Sequence, residues 1–267
     1  EIKLKDKVDS KEALSVYYTP GVAAVSEEIS KDENTYRKYT WVKNNLAVIS
    51  NGTAVLGLGN LGALAGKPVM EGKSVLFKRF ADIDSVDIEV ATENVDEFIN
   101  AVKYLGPTWG GINLEDIKAP ECFIIESKLR EIMDIPVFHD DQHGTAIVVL
   151  AALKNSLKLV GKTIENCKII INGVGAAGTA IAHLLVLSGA KNIIGFDRKG
   201  AITKMRESND SMRKWFQDNC NPSQFSGTLS EAMIGSDIFI GVSAPDVLSE
   251  NDVKSMNTNS IVFALSN

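Results

Sequence analysis

Lys168-Ile-Ile-Ile-Asn-Gly-Val-Gly-Ala-Ala-Gly178 is the stretch that decides how this chain folds. Its first five residues form a short apolar run, which predicts a strand buried on both faces. The glycines then follow at the spacing GxGxxG. Gly173 permits a tight turn, Gly175 lets the backbone approach a pyrophosphate, and Gly178 lets helix and strand pack closely. A helix is predicted over 176–188, closed by Gly189. Its N-terminus would offer unpaired N–H groups and about half a positive charge to an anion. A second strand, Asn192-Ile-Ile-Gly-Phe196, ends at Asp197, 19 residues past Gly178. That is the context a dinucleotide-binding turn requires. An acid there accepts hydrogen bonds from an adenosine ribose, which favours NAD. Arg198 and Lys199 follow directly and could hold a 2′-phosphate, so NADP stays open. The plain alternative, a glycine turn with no ligand, leaves the acid at that spacing unexplained.

Working outward, Thr145 to Lys158 carries small and branched apolar residues at helical spacing. Asp210 to Asp218 predicts an amphipathic helix with Met212, Trp215 and Phe216 on one side, and Leu229 to Ile234 a short helix. Ile238-Phe-Ile-Gly-Val242 and Ile261-Val-Phe-Ala-Leu265 predict two further buried strands. Alternation of this kind gives a doubly wound parallel sheet, a Rossmann-like α/β domain. Before about residue 110 the texture is glycine-rich and irregular. Two domains are therefore expected, one over 1–155 and a nucleotide-binding domain over 156–267. The chain begins without Met and stops at a buried strand with no covering helix. A trimmed start and a polypeptide continuing past Asn267 are thus expected.

The chain has 267 residues, 45% hydrophobic and 23% charged, the balance of a globular protein with a sizeable core. Its net charge of −6 repels phosphate backbones and sets aside nucleic acid as a partner. No apolar run approaches the roughly 20 residues of a membrane span. Three widely spaced cysteines, Cys122, Cys167 and Cys220, form no CxxC pair and suit a reducing compartment, the cytoplasm.

Two acidic pieces stand out. Gly110-Gly-Ile-Asn-Leu-Glu115-Asp116 is one, and Pro136-Val-Phe-His139-Asp140-Asp141-Gln-His143-Gly144 is the other. Brought together, such carboxylates suit Mg²⁺ or Mn²⁺; alone, each reads as a loop of solvated charges. The second lies between an apolar run, Ile135 to Phe138, and an apolar helix, where α/β proteins place ligands. His139 and His143, four apart, superficially match a zinc-protease helix. Asp140 stands where its Glu should be, and Pro136 and Gly144 bracket what reads as a loop, so zinc hydrolysis is set aside. His183 reads as a packed or surface residue. Tyr18 and Lys73 are not distinguished from structural residues by composition or spacing.

The segments YYTPGVA at 17–23, NGTAVLGLGNLG at 51–62, GKPVMEGKSVLFK at 66–78, GGINLEDIKAP at 110–120, FHDDQHGTAIVVLA at 138–151, INGVGAAG at 171–178 and IVFALSN at 261–267 together resemble the malic enzymes of the short bacterial type. The likeness runs in order along nearly the whole chain. It implies an α/β fold for the N-terminal domain, oxidative decarboxylation of malate to pyruvate and CO₂ with reduction of NAD or NADP, and a homodimer. Carried over by position, Tyr18 is the proton donor, Lys73 the base and a substrate contact, and Asp140 the carboxylate supporting the lysine. Glu115, Asp116 and Asp141 resemble the metal ligands. Val174, Ala176 and Ala177 join the three glycines and Asp197 along the dinucleotide, and Asn267 reaches nicotinamide and substrate. Lys73 would have to be neutral to take the hydroxyl proton. Partial burial and a nearby cation would lower it by two or three units from about 10.4, about 3–4 kcal/mol.

Two departures appear. No arginine stands in Asn51-Gly-Thr-Ala-Val55 to grip a substrate carboxylate. Ser85-Val-Asp-Ile-Glu89 replaces a proline-containing apolar stretch. A malolactic or oxaloacetate-decarboxylating relative would use the same ligands. A non-catalytic dinucleotide-binding module would need neither Lys73 nor the acidic trio, and an amino-acid dehydrogenase would not need the trio.

Overall fold

The computed structural model describes residues 4, 6–208 and 210–266. Asn267 lies outside them. The first part opens with three short helices, α1 (Lys11–Tyr17), α2 (Gly21–Lys31) and α3 (Tyr36–Tyr39). Neither α1 nor α2 buries a residue. There follow β1 (Asn45–Ser50), α4 (Ala63–Ala81), β2 (Asp84–Glu89), α5 (Val95–Leu105), β3 (Ile112–Leu114), α6 (Glu121–Ile132) and β4 (Val137–His139). The glycine-rich texture of this half conceals a parallel sheet of order β2-β1-β3-β4. Its strands are short, and β3 and β4 have three residues each, so no periodicity betrays them. Ala47, Ile49, Phe98, Leu114, Ile125 and Leu129 lead its core. The sheet is an α/β layer rather than an irregular loop region. The departing segment Ser85 to Glu89 forms most of the edge strand β2, where Lys67 binds Asp87 and, at 3.3 Å, Glu89.

Helix α7 (Asp140–Val160) leads to the second sheet. Next come β5 (Lys168–Asn172), α8 (Ala176–Leu187), β6 (Asn192–Asp197), β7 (Gly200–Ala201), α9 (Ser211–Asn219), α10 (Leu229–Met233), β8 (Ile238–Gly241), α11 (Glu250–Lys254) and β9 (Ile261–Ala264). The order is β7-β6-β5-β8-β9, parallel except for the two-residue β7. The anticipated strands and helices all form with ends shifted by a residue or two, except that the helix expected from Thr145 begins five residues earlier, at Asp140. Ile169, Ile170 and Ile171 are each fully buried, because core side chains cover both faces of β5. From Ala146 onward the apolar face of α7 belongs to this second core, so residue 155 falls within the helix.

One local expectation is overturned. The stretch between Pro136 and Gly144 is not a loop. β4 passes directly into α7, and Asp140 to Gly144 form its first turn and a quarter. Asp140 and Asp141 are favourable there, since acidic groups in a first turn meet the positive end of the helix dipole. The Asp140 carboxylate occupies the space a Cβ on residue 144 would need, so only glycine fits there.

Candidate active site

Strand register brings the acidic pieces together. β3 and β4 are parallel neighbours with Leu114 opposite His139. Glu115–Asp116 and Asp140–Asp141 therefore leave adjacent strands at the same level, at their carboxyl ends. Glu115 and Asp116 are buried, 5% and 4% exposed. Asp116 adopts a left-handed backbone, φ 53°, sparsely populated by a non-glycine residue and frequent at functional sites. Its N–H donates to Asp141 Oδ2 at 2.9 Å. Asn113 Nδ2 donates to Glu115 Oε2 at 2.8 Å. One oxygen from each of Glu115, Asp116 and Asp141 lies within 4.8 Å of the other two.

Asp116 Oδ2 is buried and has no hydrogen-bond partner among the described residues. Burial and the charge of Asp141 push Glu115 up to about 8 and Asp116 up to about 7. Burial raises Asp141 as well. Three oxygens that repel one another, one of them orphaned, are what a hard divalent cation would satisfy. The anticipated ligand set thus fits such an ion.

Lys73 reaches this cluster from the middle of α4. Its Nζ lies 2.7 Å from Asp140 Oδ2 and 3.0 Å from Glu115 Oε1. The expected depression of its basicity rests on two causes, burial and a nearby cation. Burial does act to lower it, but Glu115 and Asp140 together outweigh burial and hold the ammonium charged. Tyr18 stands apart. It caps α1, is 71% exposed and makes no side-chain hydrogen bond to Lys73 among the described residues. Its neighbour Tyr17 donates to Asp6 at 2.7 Å.

His139 is fully buried and is held neutral by burial, so its 3.8 Å approach to Asp141 is not an ion pair. His143 Nε2 lies 2.8 Å from Glu126 Oε1, and His183 stacks on Trp215 with ring centroids 4.8 Å apart. Neither joins the acidic trio. Cys122, Cys167 and Cys220 are free, buried thiols pushed up by burial, not nucleophiles.

Glu126 was not anticipated. It is 5% exposed and accepts from the His139 N–H at 3.0 Å and from Gln142 Nε2 at 3.3 Å. It thereby ties down the turn that carries Asp140 and Asp141. The signal was present in the sequence: Cys122, Ile125, Glu126 and Leu129 make one helical stripe, with an acid where an apolar residue belongs.

At the second sheet, Gly173 has φ 110° and both it and Val174 donate to the Phe196 carbonyl. Gly178 sits against the Gly173 backbone, leaving no room for a Cβ, whereas a Cβ on Gly175 would meet nothing within 4 Å. The turn opens onto a cleft of about 610 Å³ lined by Gly173 to Ala177, Asp197 and Arg198 among others. Ala176 also packs against the first core, and α7 lies along α8.

Over its whole length the chain is similar to known proteins. The chain matches the family model of the malic enzyme N-terminal domain over residues 1–94 and 86–130, and that of the malic enzyme NAD binding domain over 142–267. It is 56% identical over 256 residues to the NADP-dependent malic enzyme of Rhizobium meliloti, covering 95% of this chain and 33% of that protein. It is 48% identical over 267 residues to the NAD-dependent malic enzyme of Geobacillus stearothermophilus, covering 100% and 56%. The chain therefore spans between a third and about half the length of these relatives. The crystal structure of the NAD-dependent malic enzyme of Thermotoga maritima superposes with a TM-score of 0.96 at 45% identity, covering 100% of this chain and 71% of that one.

Proposed function

The chain belongs to the malic enzyme family, and on that premise we propose that it converts malate, oxidatively and with loss of CO₂, to pyruvate. The observation that carries the proposal is the trio of buried Glu115 and Asp116 with half-buried Asp141, with its orphaned oxygen, in direct contact with Lys73 through Glu115. Mg²⁺ or Mn²⁺ held by the trio would polarise the malate hydroxyl and stabilise the charge left on loss of CO₂, and NAD or NADP in the glycine-lined cleft would accept the hydride. Lys73 takes the hydroxyl proton at Nζ. A cation on Glu115 would remove one of the two negative partners that keep Lys73 charged, which lowers its basicity toward what that step requires. Asp140 orients the amine. Tyr18 is assigned the return of a proton to carbon, on its position in the YYTPGVA segment.

Leu14, Val16, Tyr17 and Val22 are exposed apolar or aromatic residues on helices that bury nothing, and exposed Tyr18 lies between those helices. That surface supports a homodimer, with a second copy covering it. No described helix is long and apolar enough to cross a membrane, and the free cysteines suit the reducing cytoplasm, where we place the protein.

The test is a nicotinamide absorbance assay with malate, each dinucleotide, and Mn²⁺ or a chelator. Reduced dinucleotide formed with pyruvate, and lost with chelator, is expected. Lactate formed without net reduction would favour the malolactic alternative. Dinucleotide binding with no turnover would favour a binding module.

A further inference from the structure

We infer that the end of the cleft beyond Asp197 is a 2′-phosphate subsite, so that this chain selects NADP over NAD; the inference rests on the dinucleotide reading of the cleft. A carboxylate at the end of this strand selects NAD when it is free to accept both ribose hydroxyls and its charge repels a phosphate. Asp197 has neither freedom. Its Oδ2 accepts from Arg206 Nη2 at 2.7 Å and from Arg213 Nη1 at 2.8 Å, and its Oδ1 accepts from the Lys199 N–H at 2.8 Å. Burial works against its ionisation, but these donors outweigh burial and keep it charged, so the pairs persist.

The two arginines differ in role. Arg206 also donates to the carbonyls of Gly200 and Ala201, at 3.1 Å each, and is a fixed brace. Arg213 makes no further hydrogen bond among the described residues, and it lines the cleft with Arg198 and Lys199. Asp197 is the only acidic side chain lining the cleft among the described residues. One negative and four positive side chains therefore meet at this end, a net charge of +3. A phosphate dianion fits that field, and the free edge of a guanidinium suits its paired oxygens. An uncharged ribose hydroxyl would instead compete with two guanidiniums for Asp197.

Titration calorimetry on the full chain with adenosine 2′,5′-bisphosphate and adenosine 5′-monophosphate tests this without turnover. The bisphosphate should bind about tenfold tighter or more, with the margin shrinking as salt rises. Arg213→Ala, and separately the exposed Arg198→Ala and Lys199→Ala, should each narrow the margin while leaving the monophosphate within about twofold. Binding of the monophosphate also reports that each variant is folded. Equal affinities in the unsubstituted chain would overturn the subsite and leave the cleft a dinucleotide site. A margin untouched by all three substitutions would overturn it too. If neither compound, nor NAD, nor NADP binds, the dinucleotide reading falls with it.

Discussion

Lys73 and Asp140 are 67 residues apart in the chain and 2.7 Å apart in space. One projects from the middle of a 19-residue helix, and the other is the first residue of α7. Their meeting joins Lys73 to the acidic trio, since Lys73 also touches Glu115.

Lys73→Ala should therefore abolish malate oxidation, by roughly a thousandfold or more, while dinucleotide binding stays within about twofold. Steady-state kinetics and a fluorescence titration of the reduced dinucleotide measure the two. Retained turnover would remove Lys73 from the role of base.

Metal binding should depend on pH. In the metal-free chain Glu115 titrates near 8 and Asp116 near 7, both above the ordinary carboxylate value of about 4. Between those values the folded chain holds more protons than the unfolded one. Stability of the metal-free chain then falls as pH rises from about 4 to 8. A cation competes with these protons, so Mn²⁺ affinity should climb over the same upper range. Melting temperatures at pH 5.5 and pH 8, with Mn²⁺ and with chelator, check it. A metal-free chain no less stable at the higher pH would contradict the burial of these groups.

Asp141→Ala takes away one proposed ligand and the acceptor for the Asp116 N–H. Mn²⁺ binding measured by calorimetry should weaken at least about a hundredfold. An unchanged titration would strike Asp141 from the ligand set.

Glu126→Ala should destabilise the chain by about 2–3 kcal/mol, because the buried His139 N–H and Gln142 amide lose their acceptor. Mn²⁺ affinity should fall with it, although Glu126 is not in the acidic trio. Denaturant unfolding and a metal titration test both halves. A variant that is less stable but binds Mn²⁺ normally would show that Glu126 supports the core and not the site.

The glycines of the turn should separate by phenotype. Gly178→Val drives a side chain into the Gly173 backbone and should cost the fold several kcal/mol. A Cβ at Gly175 meets nothing within 4 Å, so Gly175→Val should fold normally yet lose dinucleotide binding, its side chain standing where a pyrophosphate would lie. Thermal melts and binding isotherms of the two variants distinguish them. Normal dinucleotide affinity in Gly175→Val would contradict the assignment of the turn.

The second sheet was legible because its signals are local. Each strand carries its own apolar run, and the glycine spacing fixes where β5 must turn into α8. The first sheet was not, because β3 and β4 have three residues each and gain their partners only from register. The same limit explains the start of α7. Pro136 and Gly144 read as loop boundaries, yet β4 runs directly into α7 there, with the Asp140 carboxylate packed over Gly144.

At the site, residue types marked Glu115, Asp116, Asp140 and Asp141 as candidate ligands, and the family resemblance added Lys73. What they could not supply was charge balance, which depends on distances across the fold. Lys73 was expected to be a weakened base, yet it lies between two carboxylates that hold its proton. Asp197 was expected to face a ribose, yet two arginines from outside its own strand occupy it. Local patterning sets where a chain turns and which face it buries. The electrostatic state of a side chain depends on neighbours that are distant in sequence and close in space, and only tertiary packing brings them there.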